Sequence, residues 1–244
     1  DPAADPAQDA ALAQAVGRAV AAGIPVVLAS SREKVDSASA TLWTEVLPLQ
    51  TLRDAGAQHG DAGVEPDDDF VVRRMPPSAG RFAATLAQHL GVRPAPAPSA
   101  DADRLVAYRG PRGSFDTRSY YQALEPGLLP AGYFRGKVVL VGRSALTASE
   151  LQHSQADLFN APFAALGGER LFPGVELQAT LLDNHVTGAA LRPVPEGWSL
   201  ALVLLALAVL VPASVRWHPG TVAGLAAGLS GAVLLLSWWL FAPA

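Results

Sequence analysis

The chain has 244 residues, half of them hydrophobic, and a formal net charge of −4 from 18 basic and 22 acidic side chains. It has no cysteine and no run of Lys and Arg, so neither a disulfide framework nor a nucleic-acid partner is expected. Arg216 is the only charged residue after position 197, so residues 1–197 have the composition of a water-soluble region and residues 198–244 do not.

The first half of the soluble region predicts helices that alternate with short strands. Residues 9–22 are Ala-rich, with apolar residues recurring on one side, and predict a helix. The apolar run 24–29 that follows predicts a strand. The next segment is acidic and loop-rich, with a short strand expected at residues 71–72 and a short helix at residues 82–90.

The second half repeats this alternation. Residues 104–109 predict a strand and residues 120–124 a short helix. Residues 137–141, KVVLV, form a continuous apolar run between two glycines, which is typical of a strand buried on both faces. Residues 173–188 have apolar residues at helical spacing and predict a longer helix. The sequence therefore predicts a mixed α/β sandwich in residues 1–197.

Two apolar stretches near the C-terminus have the length of membrane spans. Residues 198–215 and 221–242 are each long enough to cross the roughly 30 Å of hydrocarbon in a bilayer. Pro219 and Gly220 in the short connector end one helix and begin the next, which predicts a tight antiparallel transmembrane hairpin. The competing interpretation is a buried helical hairpin in a soluble core.

Aromatic and basic residues suggest how this hairpin is oriented. Trp198, Trp238 and Trp239 lie at ends of the spans that meet on the same side, where indole rings favour the headgroup region. Arg216 and His218 lie in the connector, and short basic loops tend to be cytoplasmic. We therefore expect the large domain outside the cytoplasm, on the periplasmic side of a bacterial inner membrane, in contact with membrane lipid.

Six segments in a fixed order carry a family resemblance: DAALAQAV with PVVLAS, LPLQTLRDAGAQHG, VEPDDDFVVRR, AYRGPRGSFDTRSYYQAL, FRGKVVLVGRSA and LFPGVELQATLLDNHVTGAALR. In these segments, and in the apolar spans that follow them, the chain resembles the CHASE2 family of bacterial extracytoplasmic sensor domains. The resemblance covers nearly the whole chain from about residue 9.

The resemblance implies an extracytoplasmic α/β domain that follows one membrane helix and precedes three more. Such a domain usually regulates a cytoplasmic adenylate cyclase, histidine kinase or serine/threonine kinase. The chain departs from this pattern because it begins after the first membrane helix and first elements of the family. It also ends after two of the three final spans and contains no output domain.

The D-x-D-G turn of the family corresponds to Asp67, Asp68, Asp69 and Phe70, and its basic partner corresponds to Arg73. Phe stands where the family has Gly, and Phe resists a positive φ, so we expect the turn to be rebuilt or the loop lengthened. The cluster is interpreted as a solvated loop with an Asp–Arg pair. The alternative is a cation or ligand site.

No other polar residues converge at a recognisable spacing. The resemblance places a family Asp at Asp157, which joins Asp67, Asp69 and Arg73 as a candidate for binding an unknown ligand. Residues 31–34 match S-x-x-K without its companion motifs, and His153 has i, i+4 spacing to Asp157 without a third ligand. We therefore expect that the protein is not an enzyme and that it has no catalytic residue, metal site or cofactor.

Gly220, Gly224 and Gly228 recur every four residues in the second span, as in helices that pack closely together. This stripe packs either on the first span of the hairpin or on another subunit, including a second copy of the chain. Two functions remain open. The first is a CHASE2-type sensor or interaction module that transmits a signal through its helices. The second is a structural accessory subunit of a larger respiratory or photosynthetic membrane complex.

Overall fold

The computed structural model describes residues 5–36, 41–92, 104–144, 157–163, 171–191, 193 and 196–241. The chain divides into two units, Asp1–Arg192 and Pro193–Ala244. The first unit contains α1 (Pro6–Ala21), β1 (Val27–Asp36), β2 (Thr41–Val46), α2 (Gln50–Asp54), β3 (Gln58–Asp61), α3 (Phe82–His89), α4 (Tyr120–Leu124), β4 (Leu158–Asn160), β5 (Leu171–Pro173) and α5 (Gly174–Thr187). The second contains α6 (Glu196–Arg216) and α7 (Pro219–Phe241).

Helix α1 begins at a well-formed N-terminal cap. The Asp5 carboxylate accepts a hydrogen bond from the backbone N–H of Ala7 over 2.9 Å, and Pro6 occupies the first turn, where its missing N–H costs nothing. The buried residue Val16 packs with Leu52 of α2 and with Ala57 in a small apolar cluster. The helix predicted at 9–22 is therefore confirmed, with an earlier start.

Strand β1 is the centre of a three-stranded mixed sheet in the order β2-β1-β3. It pairs in parallel with β3 from Val27 to Ser30, and antiparallel with β2 from Ser31 to Asp36. The predicted strand at 24–29 thus begins later and continues into a polar segment that we assigned to a loop. The antiparallel partner supplies the backbone hydrogen bonds of that polar half, so it needs no apolar pattern.

The main core lies between α3 and α5. Small residues on α3, including Ala83 and Ala87, are fully buried and let this helix approach the sheet closely. A Cβ at Gly60 of β3 would lie 2.7 Å from the backbone of Phe82, so only glycine fits there. The predicted helix at 82–90 is confirmed. The main core consists of Val72, Met75, Ala83, Ala87, Val106, Ala161, Phe172, Leu177, Leu181, Leu182 and Ala190.

Helix α5 is buried along most of its length, and its buried residues include polar ones. It ends at Gly188, whose φ of +69° is the left-handed conformation that favours glycine after a helix. The helix predicted at 173–188 is confirmed, but its buried surface is wider than the predicted stripe. The apolar Val186 is exposed, whereas the polar residues Asn184 and Thr180 are each 1% exposed.

The predictions of strands at 71–72 and 104–109 are wrong, because these segments form no regular strand and take part in isolated bridges only at Leu105. Leu105 forms isolated bridges to Arg74 on one side and Leu191 on the other. Beyond Leu105, the side chain of Asn184 supplies the hydrogen-bond partners of the backbone. Its Oδ1 accepts from the N–H of Ala107 and its Nδ2 donates to the carbonyl of Ala107, each over 2.8 Å.

The prediction of a doubly buried strand at 137–141 is also wrong. Residues 137–144 form no strand, and Val139 and Val141 are 51% and 76% exposed. Only Leu140 packs against the main core. A continuous apolar run shows that a segment avoids water, but forming a strand also requires a neighbouring backbone, and the described residues place none beside it.

The second unit consists of two apolar helices that contact each other. Residues 219–238 of α7 are long and apolar enough to cross a membrane, whereas the apolar part of α6, residues 200–216, is shorter. Pro212 lies inside α6. The predicted spans 198–215 and 221–242 therefore correspond to real helices, and the transmembrane hairpin is supported for its second helix only.

Replacing Asn184 with Leu is expected to destabilise the first unit by about 2–4 kcal/mol, because the backbone N–H and C=O of Ala107 lose their partners in a buried place. Urea unfolding of the purified chain in mild detergent measures this, and hydrogen exchange should quicken at residues 105–107. The control is Thr187→Ala, at the exposed end of the same helix. Equal stability of the two variants would contradict the role given to Asn184.

Candidate functional site

Three of the four candidate ligand residues, Asp67, Asp69 and Arg73, lie in the acidic turn, residues 67–73. The guanidinium of Arg73 binds both oxygens of the Asp69 carboxylate, with N–O distances of 2.8 and 2.7 Å, and reaches Asp67 over 2.9 Å. The turn is closed by hydrogen bonds from the N–H of Asp67 to the carbonyl of Val71 and from Phe70 to Asp67. The predicted Asp–Arg pair therefore exists, with two carboxylates on one guanidinium.

The charges of the acidic turn are strongly coupled. The hydrogen bonds from Arg73 lower the pKa of Asp69 to about 2, and the backbone N–H of Val71 adds to this effect. The two carboxylates in turn raise the pKa of Arg73. Since all three side chains are substantially exposed to water, this is a solvated ion pair of modest contribution to stability.

Phe70 keeps the left-handed conformation that glycine would adopt. Its φ is +60°, and it is the only residue other than glycine with a positive φ in the described part of the chain. Our expectation that the turn would be rebuilt is therefore wrong. Neighbouring contacts hold it: Asn160 of β4 donates its backbone N–H to the carbonyl of Phe70 and its side-chain amide to that of Asp69.

Asp157 lies elsewhere in the interaction network. Its backbone carbonyl accepts a 2.7 Å hydrogen bond from Gly174 at the start of α5, and its carboxylate forms no ion pair with Arg73 among the described residues. His153 lies outside the described residues, and Ser31 and Lys34 both lie in β1. No group of three or more His, Asp or Glu suited to a metal ion occurs in the described ranges.

The sequence reasoning missed a second, buried ion pair. Asp61 at the end of β3 is 7% exposed and accepts 2.8 Å hydrogen bonds from the Arg81 guanidinium and from the N–H of Gly63. Arg81 also donates to the carbonyl of Gly63, and Arg32 lies 3.8 Å away. The available signal was an Asp at the end of a parallel strand, but its basic partner is 20 residues away.

A second missed group anchors the turn after Arg109 to α5. Glu176 is 9% exposed, and its carboxylate accepts backbone hydrogen bonds from Gly113 and Ser114 over 2.7 and 3.1 Å. Its side chain lies in the first turn of α5, where the helix dipole favours an acidic group. It also fixes the position of a loop 62 residues earlier, which local spacing cannot show.

A third missed group surrounds Tyr133, which is half-buried. Its hydroxyl donates a hydrogen bond to Asp116. Two cations lie over its ring: the Lys137 ammonium is 4.0 Å from the ring centroid, and the Arg118 guanidinium is 5.4 Å from it. Arg118 also binds Asp116 over 2.9 Å. Beside this group, residues 122–135 line a shallow cavity of about 280 Å³.

The predicted membrane residues are placed as follows. Trp198 and Trp238 are 65% and 76% exposed, as residues facing lipid would be, and the side chain of Trp239 lies outside the described part. A Cβ at Gly220, Gly224 or Gly228 would meet no atom within 4 Å. The glycine stripe is therefore open, and it does not pack against α6 in this structure.

Comparisons with known proteins gave one match. The family model of the CHASE2 domain matches residues 1–213. The matched range contains the acidic turn, the buried pair of Asp61 and Arg81, the Tyr133 group and the core around α5. The comparison with curated proteins and the comparison with solved structures gave no match.

Replacing Arg73 with Gln is expected to raise the pKa of the Asp69 carboxyl from about 2 toward the ordinary value near 4. Because the folded pKa is depressed, the contribution of the pair is present above about pH 4 and is lost as the pH falls toward 2. Carbon-13 NMR titration of the carboxyl measures the shift. Arg74→Gln, which removes the neighbouring charge, should leave the Asp69 titration unchanged; a shift of equal size would contradict the pairing.

Replacing Phe70 with Gly is expected to stabilise the chain by about 0.5–1 kcal/mol, because a side chain in left-handed backbone costs roughly 1–2 kcal/mol and glycine entropy offsets part of the gain. Thermal unfolding in detergent measures the change. Phe70→Ala is the matched control: it also removes the exposed ring but keeps a Cβ, so it should bring no gain. Equal stabilisation by both would point to the ring instead of the backbone.

Proposed function

Because this chain belongs to the CHASE2 domain family, we propose that it is the sensor or interaction module of a membrane-anchored bacterial protein and passes an extracytoplasmic event to its C-terminal helices. CHASE2 domains are extracytoplasmic sensor domains. The observation that carries the proposal is the family match over residues 1–213, which runs directly into an apolar helical region.

The path proposed for the signal follows the chain itself. Residues 188–191 leave α5, and Leu191 forms a bridge with Leu105 of the extended segment 104–109. Only residues 192–195 then precede α6. A ligand or protein that shifts α5 or the extended segment therefore displaces the point from which the chain enters the helices, and a two-state shift of this kind is the usual basis of such signalling.

The proposal assigns no reaction to the chain. Its sequence contains no recognisable catalytic motif, and the buried side chains Glu176, Gln178 and Asn184 hold other segments against α5. We propose that the module acts through a separate or covalently attached effector, without a metal or cofactor of its own. Its ligand is unknown, and the acidic turn with Asp67, Asp69 and Arg73 is the proposed contact for it.

The orientation is also part of the proposal. With Arg216 and His218 in the cytoplasm, the first unit lies in the periplasm and the chain is anchored in the inner membrane. Helix α7 has the length and composition for a span. We propose that α6, whose apolar part is shorter, is the second span of a hairpin. Trp198 and Arg216, near its two ends, then lie at opposite interfaces of the membrane.

One observation favours a second function, that of a structural accessory subunit. The open stripe of Gly220, Gly224 and Gly228 leaves the backbone of α7 free for close approach by another helix. Such a helix would come from a second copy or from a different subunit of a larger complex. Under this alternative the domain covers the outer side of that complex and senses nothing.

The orientation can be tested with single cysteines because the chain has none. We expect Gln14→Cys, on an exposed position of α1, to react with an impermeant maleimide added to spheroplasts, and His218→Cys to react only after the membrane is permeabilised. If only α7 crosses the membrane, both positions lie on the same side and react alike. Protection of Gln14→Cys in intact spheroplasts would overturn the extracytoplasmic placement.

The two functions are separated by extracting the protein from its native membrane in mild detergent. The co-purifying proteins and the intact mass of the polypeptide are then identified by mass spectrometry. Recovery as part of one polypeptide with a kinase or cyclase, or in stoichiometric complex with one, supports the sensor. Stoichiometric recovery within a large respiratory or photosynthetic complex that lacks such an effector establishes the accessory subunit instead.

A further inference from the structure

Positive charge and tyrosine are concentrated in one part of the first unit. Residues 104–144 contain seven basic and two acidic side chains, although the whole chain has a net charge of −4. The same segment contains all four tyrosines of the chain. Tyr108 belongs to the core, but Tyr120 and Tyr121 on α4 are 66% and 63% exposed, so most of this concentration lies at the surface.

The charges in this segment surround an aromatic ring. Arg118 and Lys137 both lie against Tyr133, and the single carboxylate of Asp116 faces the two cations. Arg135 is exposed beside them and lines the neighbouring cavity. Positive charge is thus in excess around Tyr133, on long side chains whose apolar stems lie next to aromatic groups.

An apolar segment continues directly from this cluster. Val138, Val139 and Val141 are all exposed, and Leu140 between them packs against the main core. The backbone N–H and C=O groups of residues 138–141 form no hydrogen bond with any described residue. A water-soluble surface seldom leaves this much adjoining apolar side chain uncovered, which indicates a surface that something else covers.

We propose that the basic–aromatic surface, formed by Arg118, Tyr120, Tyr121, Tyr133, Arg135, Lys137 and residues 138–141, docks on the anionic lipid headgroups of the membrane that anchors the chain. This inference rests on the membrane anchoring proposed above. Basic side chains bind the phosphates, tyrosine rings occupy the headgroup region, and the valines enter the boundary with the acyl chains.

Two considerations favour lipid over a protein partner. A lysine lies at the centre of the surface, and lysine is depleted in the cores of protein interfaces, whereas it is well suited to anionic membranes. In addition, the surface and the apolar helix α7 belong to one chain, so anchoring holds the surface at a high effective concentration of lipid. Weak individual contacts are then sufficient for docking.

The experiment uses the full chain in nanodiscs of phosphatidylcholine alone or of an equimolar mixture with phosphatidylglycerol. Hydrogen exchange followed by mass spectrometry reports on residues 118–141. We expect exchange at residues 138–141 to be at least about ten-fold slower in the anionic discs, and the protection to disappear near 1 M NaCl, where the Debye length is about 3 Å.

A charge variant and a matched control sharpen the test. Arg118→Gln, Arg135→Gln and Lys137→Gln in combination should weaken docking about 100-fold, because each basic residue near an anionic surface contributes roughly a factor of five. The control combines Arg18→Gln, Arg53→Gln and Arg74→Gln, which removes the same charge from positions outside the segment. It should retain the protection of the unaltered chain.

Other outcomes overturn the proposal. Equal exchange in neutral and anionic discs excludes docking on anionic lipid. Protection that persists in detergent and rises with protein concentration assigns the surface to an interface between copies, and protection that appears only with a co-purified protein assigns it to that partner. Failure of the chain to incorporate into nanodiscs would instead contradict the anchoring itself, so the two failures are distinguishable.

Discussion

The first unit depends on polar side chains of one buried helix, α5. A buried polar group must find a hydrogen-bond partner, and each of these side chains finds its partner in the backbone of a distant segment. Glu176 binds Gly113 and Ser114, Gln178 binds the carbonyl of Ala62 over 2.8 Å, and Asn184 binds Ala107 on both sides. Three extended or looped segments with little strand pairing of their own are thereby held against one helix.

The sequence predicted the helices of this unit well and its strands poorly. Helices make their backbone bonds internally, so local spacing suffices for α3, α4 and α5. Strand formation depends on a neighbour: the polar half of β1 became a strand because β2 lies beside it, while the apolar residues 137–141 did not because no described segment pairs with them. The spacing of apolar residues in the sequence indicates which segments are buried, but it does not show which segments pair as strands.

The candidate site shows the same division. The contact of Arg73 with Asp69 spans four residues and was predictable, whereas those of Arg81 with Asp61 and of Glu176 with Gly113 span 20 and 63 residues and were not. Phe70 was misjudged for a related reason. The residue type indicated a conformational cost, but the contacts from Asn160 that hold this turn come from far along the chain.

Pro212 gives α6 a mechanical weak point. Proline has no N–H to donate to the carbonyl of Ala208, and its ring crowds the preceding turn, so one backbone hydrogen bond is missing about one turn before the last residue of α6, Arg216. In the same turn the Ser214 hydroxyl donates to the carbonyl of Val211. A displacement or rotation of the first residues of α6 would therefore bend the helix at Pro212, and only part of it would reach Arg216.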